Sequence, residues 1–404
     1  MNPILSIDVS KNKSVAAAYL DMNQPIFKPK VFNHTMTHLH KLVSELRQIK
    51  QTYGYSPKIV MEATGNYSRP LAQFFYLQGF EVFVLNPLMT HAVKRKAIRK
   101  IKTDPIDVHR IAHAFYTGHN LYAYEPQDDV TTALKELTRQ YDNISKLASE
   151  AHLQLLSTLD LAFPNYEQLF SNVRNKASLS LLMAFPTPEL VLNASINDIA
   201  EVLIPSFRPL SWRIAKAEKI VAAANECIAI ASLHNTFEIV IRSQVQLLVQ
   251  FDAVLDELRF EMKKIARLSQ HYNLLLSIPG VGEITASIIL SEIGNIKRFK
   301  SKKQLTAYAG LDPSIFQSGK FTASNNKISK RGSPYLRKAL YQATFIGIGK
   351  RGDHPVNPIL HEYYMSKKNQ GKHGKVALVA TCSKLLNMIY GILNTETPYE
   401  NQLI

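Results

Sequence analysis

Ser318 is the residue whose surroundings best suit chemistry on a phosphate. It lies between Gln317 and Gly319 in a stretch rich in Asn, Ser and Gly, which predicts a loop. From residue 297 to 338 the chain carries eleven Lys and Arg residues and a single acid, Asp312. Cations around a serine hydroxyl favour attack on phosphorus, because they offset the charge that builds up on the phosphoryl oxygens. A lone Ser-Gly pair is more often a simple turn, and the Gly-x-Ser-x-Gly elbow of acyl hydrolases is absent.

Four carboxylates near the start of the chain form a second candidate group. Asp8 and Glu62 each end a short apolar run that predicts a β-strand. Asp104 and Asp107 open a predicted helix, with Pro105 at its first position and Asp104 at its N-cap. Oxygen ligands of this kind select Mg²⁺, with Mn²⁺ as a substitute, and two such ions can clamp a phosphodiester. Each acid alone is ordinarily a cap or a solvated charge, but together they follow the pattern of ribonuclease H-like nucleases.

Basic residues form candidate nucleic-acid contacts at two places. The run 94–102 holds six cations and no acid, which favours contact with a nucleic-acid backbone over a solvated helix face. A second set surrounds Ser318, where solvated surface charge is the alternative for any single residue. The predicted contacts are Lys94, Arg95, Lys96, Arg99, Lys100, Lys102, Lys320, Lys327, Lys330, Arg331 and Arg337.

Two glycines predict a third phosphate contact. Gly280 and Gly282 form a Pro-Gly-x-Gly turn between two apolar helical segments, which predicts a helix-hairpin-helix. In such a motif the glycines let amide N–H groups at a helix N-terminus approach a phosphate. The alternative is a tight turn between helices that binds no ligand.

Composition limits the class of protein. The net charge of +16 and the pI near 9.6 indicate a polyanionic partner, and 46% hydrophobic residues suit a globular chain. We expect no membrane partner, since we find no apolar run long enough to span a bilayer and no secretory signal. Cys227 and Cys382, the only cysteines, fit a reducing cytoplasm and argue against zinc or disulfides.

The chain is predicted to be α/β followed by α, in three domains. Residues 1–125 predict a mixed sheet with helices on its faces. Residues 126–270 predict two long amphipathic helices with a heptad-like, coiled-coil seam, interrupted at 163–212 by an insertion that prolines break into short helices. Residues 271–404 are predicted to be mainly helical. The seam is core by default, and dimerisation through it is a hypothesis.

Several short motifs in order resemble one family. They are Ile7-Asp8-Val9, MEATG at 61–65, TDPID at 103–107, IPGVG at 278–282, AGL at 309–311, QSG at 317–319, and SKRG at 329–332 with Leu336-Arg337. In this order they resemble the insertion-sequence transposases that combine a DEDD RuvC-like domain with a serine-bearing transposase domain. That group includes the bridge-RNA-guided recombinases and is related to the Piv-type invertases. The resemblance spans nearly the whole chain, but the segment 163–212 looks longer than in compact members, so no RNA contacts are carried over to it.

The resemblance implies a fold and a mechanism. Residues 1–125 would form a RuvC-like DEDD domain in which Asp8, Glu62, Asp104 and Asp107 hold Mg²⁺, and residues 271–404 a serine transposase domain. Ser318 would be the nucleophile of a covalent phosphoserine link to DNA, which allows rejoining without ATP through a Holliday-junction-like intermediate. A structured noncoding guide RNA would base-pair with donor and target DNA. The protein would act as a homodimer assembling into a tetramer, with the acids and serine supplied by different protomers, in the prokaryotic cytoplasm at the nucleoid.

Two other functions stay open on the residues alone. In a RuvC-like, structure-specific nuclease the acids would activate water and Ser318 would be structural, and the products would carry no attached protein. In a non-catalytic nucleic-acid-binding protein the acidic cluster would be vestigial, and strand cleavage that depends on a divalent metal would exclude this alternative.

Overall fold

The computed structural model describes residues 2–87, 89–90, 104–118, 121, 123–126, 128–228, 235–313, 317–318, 321–322 and 327–400, with the backbone alone at 104, 317–318 and 321–322. Contacts between residues divide the chain into two compact units, Met1–Pro126 and Gln127–Ile404.

The first unit is built on a mixed five-stranded sheet with the strand order β3-β2-β1-β4-β5. The strands are β1 (Ile4–Val9), β2 (Lys13–Asp21), β3 (Gln24–Asn33), β4 (Lys58–Glu62) and β5 (Val82–Leu85). The first three strands pair antiparallel, whereas β4 runs parallel to both β1 and β5. Central strands of such a sheet are covered on both faces, which is why β1 and β4 read as nearly continuous apolar runs.

Helices cover both faces of this sheet, as the sequence predicts. They are α1 (Met36–Tyr53), α2 (Ser68–Leu77) and α3 (Asp104–Thr117). Leu46 of α1 and Phe75 of α2 pack with Leu5 on one face. Val108 of α3 packs with Ile4 on the other. A mixed five-stranded sheet covered in this way is consistent with a ribonuclease H-like fold.

The second unit is organised by two long helices, α4 (Asp129–Ala162) and α9 (Thr236–Ala266). They are antiparallel, because Gln244 near the start of α9 donates to Thr158 near the end of α4 at 3.0 Å. Near their other ends the Arg259 guanidinium lies 5.6 Å from the Tyr141 ring centroid. These two helices pack on each other, and the coiled-coil seam stays a prediction. Leu147 of α4 is 47% exposed, while Ala148 beside it is buried.

Short helices lie between the two long ones. They are the 3₁₀ helix Pro164–Leu169, α5 (Lys176–Ala184), α6 (Pro188–Leu192), α7 (Ile196–Val202), the 3₁₀ helix Ile204–Ser206 and α8 (Leu210–Asn225). Pro164, Pro188 and Pro205 each stand at a helix start, where a missing N–H costs no intrahelical bond. Apolar side chains of these short helices form a hydrophobic cluster with the adjoining ends of α4 and α9.

The remaining helices share a second cluster with the opposite ends of α4 and α9, which contribute Leu134 and Met262. These helices are α10 (Gln270–Leu276), α11 (Glu283–Ile293), the 3₁₀ helix Ile296–Arg298, α12 (Lys302–Ala309), α13 (Pro334–Gly347), α14 (Pro358–Asn369) and α15 (Gly374–Thr395). Two short hairpins join them, β6 (Gln317–Ser318) with β7 (Phe321–Thr322), and β8 (Lys350–Arg351) with β9 (His354–Pro355).

The helix α15 corrects one expectation from the sequence. By length and composition alone it could cross a membrane, although we found no such run in the sequence. Leu385, Leu386 and Ile389 of α15 are buried in the second cluster. The apolar character of α15 is therefore that of a core helix of this unit.

Candidate functional site

Asp8 and Glu62 lie on one face of the sheet. Register pairs Ile7 with Met61 across the parallel strands β1 and β4, so the next residue of each strand, Asp8 and Glu62, points to the opposite face from that pair. That face is the one covered by α3, because Val15, the register partner of Asp8, packs in the cluster around Val108. The two predicted strand-end acids are thus side by side beneath one helix.

The Glu62 carboxylate is oriented by a buried threonine. Thr90 Oγ1 donates to Glu62 Oε2 at 2.7 Å, and the Thr90 side chain is 1% exposed. A hydrogen bond from a buried donor fixes the direction of a carboxylate that could otherwise rotate. Sequence reasoning missed Thr90, because it stands 28 residues from Glu62 and belongs to no motif.

Asp107 lies on the α3 face that meets the sheet. Ser6 Oγ of β1 donates to the Val108 carbonyl at 2.7 Å, which fixes the first turns of α3 on the strand that carries Asp8. The Asp107 carboxylate accepts from the Arg110 guanidinium at 2.8 Å, with both side chains nearly buried. Arg110 therefore offsets charge at the predicted acidic group, a contact that the motif gave no reason to expect.

The metal prediction is not tested by these positions. The helix α3 begins at Asp104, as predicted, but its side chain lies outside the described residues. Among the described side chains, no three His, Cys, Asp or Glu residues form a group that could hold a metal ion. Asp8 and Glu62 carry carboxylate oxygens on one face of the sheet, and the metal role of all four acids stays a prediction. The basic run 94–102 also lies outside the described residues.

The backbone at Ser318 lies in a short hairpin, where the composition predicted a loop. Gln317 pairs with Thr322 and Ser318 with Phe321. Ser and Gly residues favour turns, but two residues between paired positions are enough for a hairpin, and Gln-Ser and Phe-Thr can both adopt extended backbone. The Ser318 side chain, and Lys320, lie outside the described residues.

Backbone contacts hold the base of the serine hairpin. Pro313 bridges Ile328, the Ser329 amide donates to the Asp312 carbonyl at 2.8 Å, and the Lys330 amide donates to the Gly310 carbonyl at 3.1 Å. The segments before and after the hairpin approach so closely that Gly332 has no room for a side chain. A Cβ on Gly332 would lie 1.9 Å from the Tyr308 carbonyl oxygen. The two strands of chain that lead into and out of the hairpin are therefore fixed to each other.

The cations around this hairpin have different surroundings. Lys327, Lys330 and Arg331 are exposed. Arg337, by contrast, is half-buried, and its guanidinium donates to the Ala309 carbonyl at 2.9 Å. Arg337 thus joins α13 to the end of α12, which is a structural reason for this residue beside the predicted phosphate contact.

Two buried acids that sequence reasoning missed anchor α13. Glu292 is 1% exposed, accepts from Ser333 Oγ at 2.6 Å and pairs with Arg139 at 2.6 Å. Asp142 of α4 pairs with Lys338 and with Lys146, each at 2.6 Å. Burial tends to raise the pKa of Asp142, but the bonds from the two lysines outweigh it and hold the pKa below its usual value. The position of Glu292 inside the mainly apolar helix α11 is the one feature of the sequence that could have indicated a buried acid.

Gly280 has a packing role. Its φ is +101°, and a Cβ there would lie 2.8 Å from the Gly347 Cα of α13. Close approach of the turn to α13 accounts for this glycine without a ligand. Gly282 is the N-cap of α11 and has open space around it, so its phosphate contact stays a prediction.

Comparison with known families matches both ends of the chain. A transposase model of the IS110 DEDD type matches residues 5–164, and a model of the IS116/IS110/IS902 transposase family matches residues 272–365. A pilin gene-inverting protein of Moraxella lacunata is 22% identical over 99% of this chain and 98% of its own length. An insertion element IS110 uncharacterized 43.6 kDa protein of Streptomyces coelicolor is 24% identical over 75% of this chain and 73% of its own. The transposase for the insertion sequence element IS1111A of Coxiella burnetii is 34% identical over 23% of this chain and 25% of its own length.

These matches define the class of protein: the chain is a transposase, an enzyme of DNA recombination, and enzymes of this class act on DNA. It belongs to the IS110/IS116 family of insertion-sequence transposases, whose two models together cover more than half of its length.

Proposed function

We propose that this transposase cuts and rejoins DNA through a covalent phosphoserine at Ser318. The observation that carries the proposal is the hairpin of Ser318, whose base is clamped through Gly310 and Gly332 and flanked by exposed Lys330 and Arg331. Fixing the two chain segments on either side of Ser318 to each other would lower the entropy cost of positioning this serine, and Lys330 and Arg331 would offset charge on the phosphate.

The covalent step conserves the phosphodiester energy. The Ser318 oxygen forms a bond to phosphorus, the bond from phosphorus to one deoxyribose oxygen breaks, and that oxygen takes up a proton as the serine proton leaves to solvent or a base. Attack by a deoxyribose hydroxyl on the phosphoserine reverses these changes and releases the serine. No ATP enters this balance.

The acids would hold the metal. Asp8 and Glu62, side by side on one sheet face, and Asp104 and Asp107 at the start of α3 would bind Mg²⁺, or Mn²⁺ in its place. The shared face and the bond from Thr90 support this role for the first two. When bound, Mg²⁺ supplies charge stabilisation at phosphoryl oxygens.

The proposed partners are inferred from the family resemblance and from the charge and exposed apolar residues of the chain. Donor and target DNA, a structured noncoding guide RNA, and a homodimer assembling into a tetramer are proposed from the family resemblance, with the net charge of +16 in support. Exposed Leu147 on α4, and Leu247 and Phe260 on α9, support a coiled-coil contact between copies. We retain as proposals the three-domain division at 125 and 270, the helix-hairpin-helix, and a cytoplasmic, nucleoid-associated location.

Replacement of Ser318 by alanine tests the proposal. With labelled DNA and Mg²⁺, Ser318→Ala is expected to lose both the covalent protein–DNA adduct on a denaturing gel and strand rejoining, while nucleic-acid binding persists. Ser366→Ala, an exposed serine on α14, is the matched control and is expected to retain both activities. Adduct that persists in Ser318→Ala removes Ser318 from its role, and wild-type products without attached protein indicate a metal-water nuclease instead.

A further inference from the structure

A surface cavity of about 380 Å³ lies in the segment between the two long helices and contains none of the residues assigned above. It is bordered by the 3₁₀ helix Pro164–Leu169, the start of α5 and the start of α8. Its lining holds two aromatic rings and three cations, and no carboxylate lies among the lining residues that the structure describes. The charged and aromatic lining residues are Phe170, Lys176, Arg208, Trp212 and Lys216.

Cations and aromatic rings are interleaved in this cavity. The Arg208 guanidinium lies 5.9 Å from the Trp212 ring centroid, and Lys216 Nζ lies 4.8 Å from that of Phe170. Burial and the neighbouring Lys219 lower the pKa of Lys216, so an anion in the cavity would stabilise its charged form. The Lys216 ammonium also donates to the Leu169 carbonyl, which holds it at the cavity wall.

The rim exposes apolar surface that the fold does not cover. Trp212 is 41% exposed, and Phe207 is 89% exposed on a backbone with φ of 56°. That left-handed backbone is sparsely populated by aromatic residues, so Phe207 is held outward by the turn between Ile204–Ser206 and α8. Exposed aromatic faces beside cations are the surface on which proteins stack unpaired bases.

We infer that this cavity binds one unpaired nucleotide of a single-stranded nucleic acid, with the base stacked on Trp212 and a phosphate held by Arg208 and Lys216. The volume suits a single small ligand, since small-molecule sites start at about 300 Å³. Stacking on an aromatic face tolerates every base, so the site distinguishes single strands from duplexes more than one sequence from another. The segment lies between residues 164 and 272, outside both family matches, and the inference does not depend on Ser318 or the acids.

Trp212 is the only tryptophan in the chain, so its fluorescence reports this cavity alone. Titration of the full-length protein with a short oligonucleotide, with excitation that selects tryptophan, is expected to give saturable quenching. DNA and RNA single strands form separate arms and identify which strand the site prefers. Quenching that is equally strong with the matching duplex, or with heparin, a polyanion without bases, would overturn the inference.

Variants assign the quenching to the lining. Arg208→Gln removes an exposed cation and is expected to move the quenching midpoint about tenfold higher, as is Lys216→Gln. Lys41→Gln, which removes an exposed cation from α1, is the control and is expected to leave the midpoint unchanged. A midpoint equal to that of the wild type in both Arg208→Gln and Lys216→Gln would refute the phosphate contact.

Affinity measured with a labelled oligonucleotide closes the test. Trp212→Ala is expected to weaken the single-strand binding seen by anisotropy roughly ten- to a hundredfold, while Trp212→Phe retains most of it because the phenyl face still stacks. Equal affinity of Trp212→Ala and the wild type, with the circular dichroism of both unchanged, would exclude base stacking at this residue.

Discussion

At the scale of residues, carboxylates on neighbouring strand ends depend on the groups that orient them. Thr90 donates to Glu62, and Arg110 offsets Asp107, so each of these acids has a partner outside the acidic motif. Partners of this kind decide the direction and basicity of a carboxylate ligand. We therefore expect activity to depend on Thr90 through its hydrogen bond to Glu62.

Thr90→Val tests this dependence. Valine matches threonine in shape at this buried position but cannot donate to Glu62 Oε2, so Mg²⁺ affinity is expected to fall about 10- to 100-fold with folding retained. The measurement is the Mg²⁺ concentration at half-maximal strand cleavage. Thr52→Val, at an exposed position of α1, is the control, and an unshifted Mg²⁺ midpoint in Thr90→Val would contradict the orienting role.

The strand-end acids were predictable from the sequence, but their partners were not. Asp8 and Glu62 close apolar runs, and parallel strand ends meet at one edge, so local pattern is enough. The contact of Thr90 with Glu62 depends on how the chain returns to the sheet, which no local pattern records. The sequence predicted Gly280 as a phosphate contact and gave no indication of its close packing on Gly347.

At the scale of elements, the serine hairpin is held by what lies beneath it. The segments around Gly310 and Gly332 approach so closely that neither position accepts a side chain without a shift of backbone. Ser333 caps α13 and donates to buried Glu292, so the element that follows the hairpin is also fixed. Composition predicted irregular backbone here because turn-forming residues dominate, whereas the clamp beneath the hairpin is a long-range contact.

Gly332→Ala tests the clamp. The new Cβ would overlap the Tyr308 oxygen, so the second unit is expected to lose about 1–3 kcal/mol of stability, measured as a lower unfolding midpoint by calorimetry. Gly391→Ala, inside α15 with open space around it, is the control of opposite sign and should gain about 0.5–1 kcal/mol. Equal midpoints for the two variants would exclude a rigid clamp.

Asp142→Asn tests the attachment of α13 to α4 through pH. Because the folded pKa of Asp142 is depressed, its contribution is fully present above the ordinary aspartate value of about 3.9 and is lost as pH falls through the folded pKa. The variant is expected to be about 1–2 kcal/mol less stable at neutral pH and to converge with the wild type in acid. Asp160→Asn, exposed on the same helix, should differ from the wild type by less than about 0.5 kcal/mol, and a pH-independent deficit in Asp142→Asn would contradict the ion-pair account.

At the scale of the whole molecule, the net positive charge indicates the kind of partner, a polyanion, before any fold is known. A net charge of +16 predicts a polyanion, and the family matches identify a transposase, whose class acts on DNA. The mixed sheet and the two long helices were also predictable, because their hydrophobic periods are long and regular. The network of α13 with Asp142 and Glu292 was not, since it joins residues 41 or more positions apart.

The basic run 94–102 is predicted to contribute to the salt dependence of nucleic-acid binding. Neutralising Lys94, Arg95, Lys96 and Arg99 together is expected to reduce the slope of log binding constant against log salt by about 0.9 for each phosphate that the variant no longer neutralises. The matched control neutralises four exposed cations of the first unit, Lys28, Lys41, Arg47 and Lys50. An unchanged slope in the first variant, or an equal change in the control, would show that the run does not contact the backbone of the nucleic acid.

The second hydrophobic cluster spans Leu134 to Leu393, and this has a consequence for synthesis on the ribosome. The five strands that the structure describes in the first unit lie within the first 85 residues, so this unit can fold while the rest of the chain is still being made. The core of this cluster cannot close until α15 has left the exit tunnel, because α15 supplies Leu385 and Ile389 to it. A growing chain therefore gains its sheet early and the core of its second unit last, so premature termination before α15 would leave a folded first unit joined to an incomplete second unit.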